Sequence, residues 1–144
     1  KRKTSCFWCS WNRRKALFEI AASRGCNKVA FGHHKNDIVE TALLNMFFNG
    51  EISTMKPQQV MFDGAMTIIR PLCFAEEPVI KDVAKALQFP EQFCRCPNGA
   101  QSKRRLVKTM LTGLQAAYPR EDIQEYVFRG LMSLRKNSSG SKAR

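Results

Sequence analysis

Acid is scarce in this 144-residue sequence: 12 Asp and Glu stand against 24 Lys and Arg, a formal charge of +12 with a pI near 9.8. That imbalance says nothing about fold, but its field attracts phosphate polymers, so nucleic acid is the leading partner class and an anionic membrane surface the second. Long apolar runs are also missing. None approaches the ~20 residues of a membrane helix, and Lys1-Arg2-Lys3-Thr4 leads into no signal-peptide core, so neither a membrane span nor secretion is expected. There is no internal repeat, and there are only two histidines, which stand side by side. What remains is 44% apolar, enough for the core of one globular domain.

The two histidines lie in Gly32-His33-His34-Lys35-Asn36-Asp37-Ile38-Val39-Glu40-Thr41, between the apolar run Lys28-Val29-Ala30-Phe31 and a helix-length segment, Ile38 to Phe48. A polar stretch where a strand becomes a helix is where open α/β sheets bind ligands, and a helix start there offers N–H groups to phosphate. Asp37 with Glu40 also fits an ordinary helix cap, but a cap requires neither histidine.

The surrounding pattern alternates. A helix is expected from Trp11 to Arg24 with Ala16, Leu17, Ile20 and Ala21 on one face and Gly25 as its left-handed stop. Arg13, Arg14 and Lys15 crowd its start, where positive charge opposes the helix dipole; an anionic neighbour or a solvated basic face accounts for them equally well. The segment Ile38–Phe48 carries Ala42, Leu43, Leu44, Met46, Phe47 and Phe48 on nearly every side and reads as a buried helix ended by Asn49-Gly50. An irregular stretch with Pro57 leads to a tight turn at Asp63-Gly64, and Met66-Thr67-Ile68-Ile69 reads as a strand stopped by Pro71. A helix beginning near Pro78 places Val79, Ile80, Val83, Ala84 and Leu87 on one face. Strand and helix in alternation imply a parallel α/β sheet. After Phe89-Pro90 only helices are expected: one capped by Ser102 and ended by Tyr118-Pro119, and one striped by Ile123, Tyr126, Val127, Gly130, Leu131 and Leu134. Lys136 to Arg144, rich in Ser, Gly and Lys, reads as disordered.

Six cysteines fall as Cys6-x-x-Cys9, Cys94-x-Cys96 and the isolated Cys26 and Cys73, a grouping that suits a site in a reducing compartment better than a disulfide framework. Two thiolate pairs brought together make tetrahedral zinc or hold an iron–sulfur cluster, and sulfur spacing cannot choose between them. A Cys6/Cys9 redox pair and simple packing are the alternatives. Lys103-Arg104-Arg105, with Lys108 one turn on, follows the second pair at a helix start suited to a nucleic-acid backbone or to solvent.

Taken in order, Cys6-Phe-Trp-Cys9 with Arg13-Arg14, Gly32-His-His-Lys-Asn-Asp-Ile-Val-Glu-Thr41, Leu44-Asn-Met-Phe-Phe48, Ile69-Arg-Pro-Leu72 and Cys94-Arg-Cys96 resemble the tRNA 2-thiocytidine synthetase family (TtcA), from about Cys6 to Leu134. These are PP-loop ATP pyrophosphatases of the adenine nucleotide α-hydrolase superfamily. The resemblance implies ATP- and Mg2+-dependent adenylation of the C2 oxygen of an anticodon-loop cytidine, followed by displacement of AMP by sulfur. It further implies a [4Fe-4S] cluster held by Cys6, Cys9 and Cys94, with Cys96 competing for the third place, a nucleotide-side motif of His33, His34 and Asp37, and tRNA held by Arg13, Arg14, Lys103, Arg104 and Arg105. A sulfur donor such as a cysteine desulfurase, a cytoplasmic setting and a homodimer are compatible with it. The sequence departs from the family pattern at Asn36, often Asp, and in its C-x-C, often C-x-x-C. It also contains no Ser-Gly-Gly-Lys-Asp-Ser phosphate loop. The expectation is therefore the C-terminal portion of a longer enzyme, inactive alone: residues 1–92 from an incomplete parallel PP-loop α/β sheet, 93–136 a helical extension on the tRNA and cluster side, and 137–144 a disordered tail. A zinc-bound nucleic-acid-binding module without catalysis is the alternative.

Overall fold

The computed structural model describes residues 6–90 and 102–140, with side chains described over 8–90 and 102–134. Its elements run α1 (Cys6–Ser23), β1 (Lys28–Ala30), α2 (Lys35–Asn49), β2 (Gln58–Met61), β3 (Met66–Ile69), α3 (Glu77–Ala86), α4 (Lys103–Ala117) and α5 (Ile123–Gly140). Contacts gather the chain into two units, Lys1–His33 with Lys56–Phe74, and His34–Met55 with Ala75–Arg144. The expected boundary at 92/93 lies outside the described residues.

In the first unit α1 packs on β1 and ends as expected, with Gly25 at φ +67°. The sheet order is β1-β3-β2. β1 and β3 are parallel, Val29 opposite Ile68, as the alternating pattern implies. β2 is a strand the sequence reading left irregular, and it pairs antiparallel with β3, Met61 opposite Met66. The sheet is therefore mixed: Pro57 and the polar Gln58-Gln59 obscure a strand that exists by hairpin closure. The turn at Asp63-Gly64 closes that hairpin, with Phe62, Asp63 and Gly64 all at positive φ. Met66 and Ile68 alternate inward on β3, giving the period-2 face of a half-buried strand. On α1 only part of the expected stripe is covered: Ala21 is half-buried, whereas Leu17 and Ile20 are exposed.

The core of the second unit is α2, which packs against α4 and α5. Ile38, Val39, Ala42 and Leu43 are buried, along with Val107 and Leu111 of α4 and Phe128 and Leu131 of α5. The expectation that α2 is buried all round holds for its first half only, since Met46, Phe47 and Phe48 are exposed. Gly50 ends α2 at φ 68°, the left-handed cap that Asn49-Gly50 announced. α3 begins with Pro78 in its first turn, and α4 is capped by Ser102, whose Oγ accepts from the Arg105 N–H at 3.2 Å. α5 continues to Gly140, through part of the stretch expected to be disordered. Once nucleated, a helix gains one backbone bond for each residue ordered. Residues 141–144 lie outside the described set.

Candidate functional site

The chain passes from the first unit to the second between His33 and His34, so the two histidines have different surroundings. His33 stacks on Phe31, with ring centroids 5.5 Å apart, and its Nδ1 accepts a hydrogen bond from Arg70 Nε at 3.3 Å. An accepting Nδ1 places the proton of the neutral ring on Nε2. Arg70 is itself buried, and its Nη1 donates to the Lys56 carbonyl at 2.6 Å. It holds His33 in one orientation at the carboxyl end of β3.

His34 is the residue before the first turn of α2, with extended backbone at φ −114°. Its N–H donates to Asp37 Oδ2 at 3.0 Å, and its Nε2 lies 3.4 Å from the same oxygen. Nδ1 of His34 is buried and meets no hydrogen-bond partner among the described residues. Asp37 is therefore a capping residue, but not as the sequence suggested: it closes the helix start from three residues inside, with His34 in the cap position. Glu40 takes no part in the cap. It is 6% exposed, and its Oε2 accepts from Arg104 Nε at 3.1 Å.

Arg104 was expected to face RNA. Its side chain is 43% exposed, and its Nη2 lies 3.0 Å from Asp37 Oδ1 and 3.3 Å from Thr41 Oγ1, so its guanidinium also clasps the first two turns of α2 from α4. Arg13, Arg14, Lys103 and Arg105 are exposed. Lys103 rests its ammonium over the Phe48 ring, 4.6 Å from the centroid, and Arg14 reaches Ser10 Oγ at 3.3 Å.

Sequence reasoning missed the buried polar cluster around Lys35 and Asn36. Lys35 pairs with Glu76 at 2.9 Å and Glu125 at 2.5 Å beneath the ring of Phe128. Burial pulls its ammonium pKa down, but the hydrogen bonds to Glu125 and Glu76 outweigh this and leave it raised. Asn36, at a position considered for a metal carboxylate, spends both ends of its amide on structure. Its Nδ2 donates to Gln124 Oε1, and its Oδ1 accepts from the Glu77 N–H at 2.9 Å, at the start of α3. The only sequence-level signal for this cluster was polar residues opening an otherwise apolar helix.

Cys6 is the first residue of α1, and Cys9, one turn later, is an exposed free thiol. Cys94 and Cys96 lie outside the described residues. Among the described residues no three His, Cys, Asp or Glu side chains converge as a metal site.

No family model matches the chain. Over 118 residues it is 40% identical to the tRNA-cytidine(32) 2-sulfurtransferase of Azoarcus sp. (strain BH72), a match covering 81% of this chain and 39% of that protein. The protein of the same description from Shewanella sp. (strain W3-18-1) is 42% identical over 118 residues, 38% of its length, and that from Haemophilus ducreyi 40% identical, 37% of its length. The chain thus spans about two fifths of the length of these relatives. Among solved structures, the U34-tRNA thiolase NcsA from Methanococcus maripaludis with its [4Fe-4S] cluster superposes with a TM-score of 0.68 at 22% identity, covering 91% of this chain and 44% of that one. At that identity the superposition establishes the fold, an α/β architecture shared with a tRNA thiolase.

Proposed function

We propose that this chain acts, within a longer polypeptide, in the ATP-dependent 2-thiolation of a cytidine in tRNA. The observation that carries the reading is 40% identity over 81% of the chain to relatives described as tRNA-cytidine(32) 2-sulfurtransferases; the fold shared with a tRNA thiolase supports it independently. In the reaction proposed, the C2 oxygen of the base attacks the α-phosphorus of ATP, with Mg2+ neutralising the phosphates, and pyrophosphate leaves. Sulfide then adds at C2, and the C–O bond breaks to release AMP. Because the chain spans about two fifths of its relatives, the complete activity is assigned to the longer protein.

His33, His34 and Asp37 are assigned to the nucleotide side. A neutral ring with its proton on Nε2, as the bond from Arg70 assigns it in His33, is of the kind that donates to phosphate oxygen, and developing charge there is stabilised by fixed donors. Asp37 acts by fixing the start of α2. Cys6 and Cys9, with Cys94 or Cys96, would hold a [4Fe-4S] cluster, which supplies an iron with an open coordination position able to carry sulfur. Arg13, Arg14, Lys103 and Arg105 take tRNA phosphates, while Arg104 serves chiefly as the brace of α2. A sulfur donor such as a cysteine desulfurase, and a second copy of the chain, are proposed partners. No helix among the described residues is long and apolar enough to cross a membrane, and the cytoplasm is the proposed compartment.

The test is anaerobic purification with iron, acid-labile sulfide and zinc measured per polypeptide. Iron and sulfide at about four each support the assignment, and their loss in Cys6→Ala ties them to that residue. Zinc at about one with no sulfide would replace it with a zinc-bound nucleic-acid-binding module.

A further inference from the structure

The first unit contains a cavity of about 1050 Å3 between α1 and the β2–β3 hairpin. The proposed chemistry assigns it no occupant, and three features mark it as a binding site. First, Arg70 lines it at 7% exposure, yet its two side-chain partners, His33 Nδ1 and the Lys56 carbonyl, are neutral, and no carboxylate pairs with it among the described residues. Buried charges are almost always paired, so a guanidinium left without an anion points to a ligand that brings one. Second, Arg14 lines the same cavity, and its charge joins burial in pushing the Arg70 pKa down, with Cys73 opposing. Two guanidiniums repel across the cavity until an anion lies between them. Glu19, the acidic residue of the lining, is 3.7 Å from Lys15 and so offset by it.

Third, the walls are aromatic. Trp11, Phe18 and Phe62 line the cavity, and Phe62 meets Phe18 edge to face at 5.5 Å. Phe62 sits at φ +53°, a conformation that a bulky residue seldom adopts and that turns up where function demands it. Its ring is exposed rather than packed away.

We propose that this cavity holds a nucleotide of single-stranded RNA, with a base stacked among Trp11, Phe18 and Phe62 and a phosphate between Arg14 and Arg70. Phosphate paired with ring faces is how single-stranded nucleic acid is recognised. A free mononucleotide offers the same chemistry, but the +12 charge favours a polymer. The inference rests on the reading that the chain acts on RNA and adds the place where the strand enters.

The experiment is fluorescence anisotropy with a labelled single-stranded octaribonucleotide, across a salt series, on the chain and its variants, each checked for fold by circular dichroism. Trp11→Ala is expected to weaken binding about tenfold or more. Arg14→Gln should weaken it and lower the salt slope by about 0.7, one phosphate's share on a single strand. Arg70→Met should do the same and Arg70→Lys only part of it; both exposed positions keep the test valid if the buried one disturbs folding. Lys103→Ala with Arg105→Ala reports on the second unit. If that pair loses affinity while Trp11→Ala and Arg14→Gln do not, the cavity is not the site, although the RNA reading survives. Full displacement of the oligonucleotide by AMP at similar concentration would make it a mononucleotide site and overturn the proposal. Absence of RNA binding by the unaltered chain would overturn both.

Discussion

Glu77 shows how much of this chain's electrostatics is decided by single residues. Its carboxylate receives Lys81 at 2.9 Å and Lys108 at 2.9 Å. Burial alone raises its pKa, but the hydrogen bonds and charges of the two ammoniums outweigh this and hold it at about 2, against an ordinary 4.5. A carboxyl depressed on folding contributes stability that is complete above its unfolded pKa and is lost as pH falls through the folded one. Stability of the second unit should therefore decline between about pH 4.5 and pH 2. Glu77→Gln should be less stable at neutral pH and show a shallower decline over that window, measured by urea unfolding at stepped pH. An unchanged slope would mean that the pair is screened by solvent, as many surface ion pairs are. Glu40 and Arg104 belong to the same account. Their attraction spans 64 residues of chain, which is why local spacing assigned one to a cap and the other to RNA.

Among the elements, α2 carries the second unit because it presents an unbroken buried face, Ile38, Val39, Ala42 and Leu43, to two other helices. Ile38 is 0% exposed, so Ile38→Ala should cost about 2–5 kcal/mol, read as a shift of the denaturant midpoint. Phe47→Ala, at an exposed position, should cost well under half of that; equal losses would mean that the far half of α2 is covered in solution. Where local chemistry decided, these elements were legible in the sequence. Gly25 and Gly50 marked two helix ends, Ser102 a start, Asp63-Gly64 a hairpin turn, and alternation over Met66–Ile69 a strand. β2 was not legible, because Gln58-Gln59-Val60-Met61 is a strand only through its partner β3. The same limit applied to the candidate site. The Gly-His-His-Lys-Asn-Asp stretch announced itself by its titratable groups, yet which partners hold them depended on Arg70, Glu77, Arg104 and Gln124, all brought in from far along the chain. Hence Asn36 and Asp37 are bonded into the scaffold, and Arg70, quoted only as part of a motif, is a buried cation like Lys35.

For the whole molecule, the exposed side chains that contribute to the excess of twelve positive charges include Arg13 and Arg14 on α1 and Lys103 and Arg105 on α4. Charges spread in this way hold a phosphate backbone by releasing its counterions, with little regard to base identity. Affinity for unrelated single-stranded RNAs of equal length should accordingly be similar, and the logarithm of the binding constant should fall linearly with the logarithm of salt. Each phosphate neutralised contributes about 0.7 to that slope. Four engaged side chains therefore set a slope near −3, and replacing Lys103 and Arg105 with alanine should reduce its magnitude by about 1.4 while sparing sequence preference. A slope near zero would mean that the charges act on something other than RNA phosphate, and a strong sequence preference would mean that base contacts dominate.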